Sequence, residues 1–178
     1  MKTPMYIQIR SILASPKRAI LKTQRLAYLK RRYKNGMISE HFSYREFFCR
    51  DGMPFPIRAT NHLEWYVKRV LEPMRFKFGV CFSTGPYRHY WYDIRIGGAS
   101  DSRHDWDKHP DEIAVDMAFS GGNPVLWAEE AARLMHLAKR GGGIGVYWQP
   151  RAYFTHVDSR RVRGRWFGSR TAHRTVKW

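Results

Sequence analysis

Nearly all of the net charge of this 178-residue chain lies at its two ends, and that confines the ordinary folding problem to the middle. Residues 1–40 carry ten Lys/Arg against one Glu, a net +9, and residues 159–178 carry seven against no acid, a net +7. Of the total of +17, only +1 remains for residues 41–158. A nearly neutral body with two basic extensions fits a globular domain whose ends meet a polyanion: nucleic acid, an anionic wall polymer or an acidic protein surface. With 43 % hydrophobic and 15 % aromatic residues the chain is not a disordered one. Its length suits one domain with a real core.

The order of local signals mixes long amphipathic helices with short strands. "SPKRAILKTQRLAYLKRRYKNG" reads as a helix, with Ser15 as N-cap, Pro16 in the first turn and Asn35-Gly36 as the stop. In "HFSYREFFCRDG", Ser43 and Glu46 have capping-box spacing, and Phe42 can staple against Phe47. "NHLEWYVKRVLEPMRFKFG" carries a helical stripe at Leu63, Val67, Leu71, Met74 and Phe78, with Asn61 and Glu64 as cap-like residues and Pro73 as a kink or restart. "VCFST" reads as a strand closed by Gly85-Pro86, and "NPVLWAEEAARLMHLAKRGGG" as a helix entered through Asn123-Pro124 and ended by glycine. "IGVYWQPRAYFTHVD" reads as a β-hairpin turning at 149–151. Without a βαβ rhythm, these signals predict an α+β fold, an antiparallel sheet packed with helices.

Chemistry concentrates in "GGASDSRHDWDKHPDEIAVDM", residues 97–117, which holds two histidines and six carboxylates. A catalytic zinc site takes about three His or Asp/Glu ligands and leaves one position open. Either His104 or His109, with Asp116, supplies a local pair, and His156 in "YFTHVD" supplies a distant third. Strand alternation places Phe154, His156 and Asp158 on one face, and Thr155 and Val157 on the other. The competing interpretation is a solvated acidic loop. Cys49 and Cys81 are too few and too far apart for a disulfide framework or zinc knuckle. No apolar run reaches the roughly 20 residues needed to cross a bilayer. Gln8 and Arg10 interrupt the N-terminal apolar stretch, so no signal-peptide core is evident and the expectation is synthesis in a cytoplasm.

Six segments in order, "HFSYREFFCRDG", "STGPYR", "GGASDSRH", "AVDMAF", "GGGIGVY" and "FTHVDSRRVRGRW", resemble the zinc D,D-peptidases of the D-alanyl-D-alanine carboxypeptidase type, with the Hedgehog/DD-peptidase fold. The likeness covers roughly residues 41–167. It implies a basic N-terminal arm with a helix over 1–40, a peptidase-like domain over 41–167 and a basic C-terminal tail over 168–178. It also implies Zn²⁺ held by His104, Asp116 and His156, with Arg88 gripping the substrate's carboxylate, as its bidentate fork suits. The family spacing of seven residues from His to Asp is met by His109, whereas the surrounding "GGASxSxH" pattern is met by His104. The favoured expectation is His104 with a five-residue insertion before Asp116.

At the family's positions for a catalytic acid or base stand Tyr153 and Phe154. Asp158 is the expected replacement, as base or as a group orienting a ligand histidine, with His109, Asp111 and Glu112 as others. Ser102 is expected to support its loop. The resemblance implies a peptidase acting on peptidoglycan stem peptides, at the cell wall or as part of a virion. The basic ends would hold anionic wall polymer, nucleic acid or other virion proteins. The alternative is a structural virion component with this fold and reduced or lost activity.

Overall fold

The computed structural model describes residues 15–150, 152–168 and 173–175. The first 14 residues and most of the tail expected over 168–178 lie outside the described residues.

Helix α1 (Pro16–Arg32) begins where Ser15 accepts the Arg18 N–H and Pro16 fills the first turn. Short 3₁₀ turns follow at Tyr44–Phe47 and Ile57–Ala59; the first carries the Ser43/Glu46 capping box, with Phe42 and Phe47 6.2 Å apart. Helix α2 (Thr60–Tyr66) runs through a π-helical stretch (Val67–Leu71) into α3 (Glu72–Phe78). The wide turn falls just before Pro73, whose ring has no N–H to give and crowds the carbonyl one turn back; widening the helix relieves that crowding. Asn61 and Glu64 do not cap this helix. Their side chains instead accept from Arg32, and Glu64 also from Tyr33.

Strand β1 (Cys81–Gly85), helix α4 (Tyr90–Arg95), strand β2 (Ala114–Phe119), helix α5 (Pro124–Leu137) and strands β3 (Gly143–Gln149), β4 (Ala152–Asp158), β5 (Gly164–Gly168) and β6 (His173–Thr175) complete the chain. The sheet has the order β1-β2-β4-β3-β5-β6. It is mixed rather than antiparallel throughout, because β5 pairs with β3 in parallel. The cause is local. Strand β4 ends beside Gly143, and residues 159–163 hop across that end of β3 to start β5 at Gly164, also beside Gly143. Backbone bonds from Gly141 and Gly142 to Arg161 and Arg160 hold the hop in place.

Helix α5 covers one face of the sheet: Val157 and Ile144 are fully buried there, and Thr155 donates to the Pro124 carbonyl at 2.8 Å. Helix α1 is not a free extension. Leu29 and Tyr33 belong to the same buried core as Phe42, Phe47 and Leu63. Arg25, 6 % exposed, donates to the Pro54 carbonyl, the Tyr87 hydroxyl and Asp107. The expectation that residues before about 40 stay outside the core therefore fails for these side chains. Among the described residues no helix is long and apolar enough to cross a membrane.

His62 ties α2 to the loop after β4 through the Ser159 hydroxyl at 2.7 Å. Burial, then the nearby Arg140 charge, push its pKa down to about 4. The unfolded chain, with a histidine near 6.5, therefore binds this proton first. Stability from His62 is complete above about pH 6.5 and falls as pH drops toward 4. Denaturant titrations of the wild type and of His62→Gln across that window should show a shallower slope in the variant. Parallel slopes would mean that His62 titrates normally.

Candidate metal centre

Three buried side chains converge at the middle of the sheet. Asp116 on β2 sits opposite His156 on the antiparallel β4, so both point to the same face. His104 reaches them from the loop after α4, which is pinned where Arg88 N–H donates to the His104 carbonyl and His104 N–H meets the Ser102 hydroxyl. Ser102 thus serves its loop, as expected.

Three atoms form a triangle. His104 Nε2 lies 3.1 Å from His156 Nδ1 and 3.3 Å from Asp116 Oδ1, and the last two are 2.9 Å apart. Ligands at about 2.0–2.2 Å around a tetrahedral ion lie about 3.3 Å from one another. The three atoms would hold such an ion together and leave its fourth position to water or substrate. The triangle therefore fits a metal ion with little movement.

The outer partners agree. His104 Nδ1–H donates to the Pro86 carbonyl at 2.8 Å, which leaves Nε2 with its lone pair inward. His156 Nε2 faces Asp158 Oδ2 at 3.2 Å, which leaves Nδ1 for the triangle. Asp116 offers Oδ1 inward while Oδ2 accepts from Arg88 at 2.6 Å. A ligand histidine held through its other nitrogen by a carboxylate or carbonyl is the usual support of a metal site.

Burial pushes His104 down. It would push His156 down too, but Asp116 and Asp158 outweigh it and hold His156 up at about 9. Asp116 is held well below the carboxylate range: burial opposes this, and His104 and His156 overcome it.

Asp158 does not face the open side of the triangle. It is fully buried behind His156, where Arg160 and the Gly143 N–H also bind it. Its geometry is that of a group that orients the imidazole. His109 is turned away into a surface network with Asp101 and Arg103, and Glu112 pairs with Arg103 at 3.0 Å. Asp111 is exposed. The segment between His104 and Asp116 is docked rather than loose: Trp106 is fully buried, its indole N–H aimed at the Ala114 carbonyl.

Two glycines make room for the centre. A Cβ on Gly143 would lie 2.3 Å from Asp158 Oδ2, and one on Gly145 2.3 Å from Trp166 Nε1. The Trp166 ring packs 5.2 Å from the His156 ring. The "GGGIG" run thus stops α5 and also lets Asp158 and Trp166 close around the histidine.

A cleft of about 380 Å³ opens on Asp116, lined also by Arg88, Arg50, Tyr92, Tyr153 and Phe154. Arg88 is already committed to Asp116 and, at 3.6 Å, to Asp93. Arg50 is exposed, and one guanidinium nitrogen donates to the Thr84 carbonyl at 2.7 Å. Sequence reasoning passed over Arg50; its place next to buried Cys49, inside "FFCRDG", gave no signal that it would reach the cleft.

A second group, Cys49, Asp51 and His89, also brings ligand-type atoms together. It differs from the first in that a guanidinium already occupies the converging atoms: Arg18 lies 2.6 Å from the Asp51 Oδ2 that faces His89, and 3.3 Å from His89 Nε2, whereas Arg88 takes Asp116 Oδ2 and leaves Oδ1 to the triangle. His89 Nδ1 accepts the Tyr92 N–H, so Nε2 carries the hydrogen given to Asp51. Burial raises the Cys49 thiol to about 11. These features describe a structural ion-pair cluster.

Compared with family models, curated proteins and solved structures, the chain matches none of them.

Proposed function

We propose that the chain is a zinc-dependent peptidase of the Hedgehog/DD-peptidase type, acting on the stem peptides of bacterial peptidoglycan. The observation that carries this reading is the triangle of His104 Nε2, His156 Nδ1 and Asp116 Oδ1, each with its other polar atom held by a separate partner. Two imidazoles and one carboxylate suit Zn²⁺, and thiolates are not needed. When bound, Zn²⁺ supplies a Lewis acid that polarises the scissile carbonyl and activates water.

The chain's own residues do the rest. Arg160 and Asp158 fix the His156 ring, the Pro86 carbonyl fixes His104, and Arg88 fixes Asp116. Because Arg88 is engaged in this way, Arg50 is the cation that meets a substrate carboxylate at the cleft wall. Tyr92, Tyr153 and Phe154 give the peptide backbone an apolar, partly aromatic floor. Replacing Arg50 with Gln should raise KM for a carboxylate-ended stem peptide about tenfold, as loss of a charge-assisted hydrogen bond implies, with kcat nearly unchanged. An unchanged KM would remove Arg50 from the site.

The role of Asp158 is testable separately. Asp158→Asn should weaken zinc binding about 10–100-fold, the usual effect of losing a carboxylate behind a ligand histidine. At saturating zinc, hydrolysis should stay within a few-fold of the wild type. A loss of several orders of magnitude at full zinc occupancy would make Asp158 the base.

A second reading is a structural virion component that kept the fold and lost turnover. One observation favours it: the cleft lining contains no acid besides Asp116. Digestion of purified stem peptides by the zinc-loaded protein separates the two.

A further inference from the structure

On the sheet face opposite the metal triangle, α5, the loop into β3 and the start of β5 enclose a pocket of about 270 Å³. Its lining is Ala132, His136, Arg140, Gly141, Arg163 and Arg165. The register fixes the side: Arg165 pairs with Ile144 on the α5 face, whereas Trp166 pairs with Gly145 on the face of His156.

Arg165 is the unusual member. It is 7 % exposed, and its terminal nitrogens donate to the carbonyls of Gly141, Gly142 and Gly164, the last two at 2.6 and 2.7 Å. Its Nε–H is buried with no acceptor among the described residues. Carbonyl dipoles position a guanidinium but do not neutralise it, and a buried charge without a counter-charge is costly. Among the described residues neither Arg165, Arg163 nor Arg140 makes an ion pair, and no acid lines the pocket. Burial and then the neighbouring Arg163 lower the Arg165 pKa, and Asp158 offsets them only in part.

Arg140 is half-buried, and its guanidinium lies 5.5 Å over the Trp65 ring. The carbonyls at the end of α5, which would repel an anion, are partly occupied: Leu134, His136 and Met135 accept from Ala138, Lys139 and Arg140.

We infer that this pocket is a binding site for a phosphate-type oxyanion. Three arginines line it from two segments, Arg140 after α5 and Arg163 and Arg165 at the start of β5, and His136 adds a fourth donor. A tetrahedral oxyanion has enough acceptor oxygens to engage several forks at once, where a carboxylate has two. The same chemistry serves free phosphate or the phosphodiester of an anionic wall polymer. The site does not depend on the metal reading, since it uses none of the triangle's residues or their supports.

The test uses the full-length, zinc-loaded protein. Inorganic phosphate is titrated by calorimetry against sodium chloride at matched ionic strength, with the Arg Nε–H resonances followed by NMR. The expected result is one saturable site that shifts a buried Arg Nε–H. Arg140→Gln and Arg163→Gln should each weaken binding at least tenfold, and the distant surface change Arg58→Gln should leave it unchanged. These three positions are half-buried or exposed, so the variants should remain folded; an unchanged unfolding midpoint checks this. A parallel titration with short poly(glycerol phosphate) identifies the source. Competition with phosphate points to a polymer phosphodiester, and binding of phosphate alone points to the free oxyanion. A response that chloride reproduces, or equal binding by the wild type and both pocket variants, would overturn the inference.

Discussion

Replacement of His156 by Ala should remove zinc and hydrolysis together. His156 gives one of three protein ligand atoms, and it lies between Asp116 and Asp158. Structural zinc sites bind with about 10–16 kcal/mol across four ligands, so one ligand accounts for about 3 kcal/mol, a loss of at least a hundredfold in affinity. The variant also brings Asp116 and Asp158, both buried, to face a void where a donor stood. Zinc titration against a chelator of known affinity, run with a stem-peptide assay, reads both effects. Retained zinc with wild-type affinity would place the metal elsewhere, and Cys49, Asp51 and His89 would be the next residues to change.

The second large effect lies in α1. Leu29 is fully buried, and Leu29→Ala should cost about 2–5 kcal/mol. For a chain of this size that lowers Tm by on the order of 10 °C. Deletion of residues 1–34 goes further. It uncovers the surfaces under Leu29 and Tyr33 and strips Arg25 from Asp107, Tyr87 and the Pro54 carbonyl. Leaving the buried Tyr87 hydroxyl and the Pro54 carbonyl without this donor costs about 1–3 kcal/mol each. Together these losses approach the whole stability of an ordinary domain, about 5–15 kcal/mol. The truncated chain should show no cooperative thermal transition. A sharp transition near the full-length Tm would show that the arm is dispensable.

That contrast marks how far the sequence could be read. Local signals placed α1, the Ser43/Glu46 box, α5 and the β3–β4 hairpin, because caps, prolines and glycines act within a few residues of themselves. Alternation along "YFTHVD" correctly put His156 and Asp158 on one face and Thr155 and Val157 on the other. What escaped were features settled by distant partners. Arg25 looked like one more charge on a basic helix, and only Tyr87 and Asp107, far along the chain, bury it. The parallel pairing of β5 rests on a five-residue hop whose backbone partners are Gly141 and Gly142. The choice of His104 over His109 was legible in the pattern around His104, but not the docking of the segment after it, which Trp106, a lone aromatic amid acids, anchors by its burial. Strand alternation likewise left Asp158 two equal roles, and its burial behind the imidazole could not be read from the sequence.

If the triangle of His104, Asp116 and His156 holds zinc, as proposed, the loaded protein should cut a stem peptide. Incubating the zinc-loaded protein with purified peptidoglycan stem peptides, and resolving the products by mass spectrometry, tests it most directly. The expected result is cleavage at one defined peptide bond, abolished by chelation and restored by a single equivalent of Zn²⁺. One zinc bound per chain, with every wall peptide left intact after prolonged incubation, would contradict it.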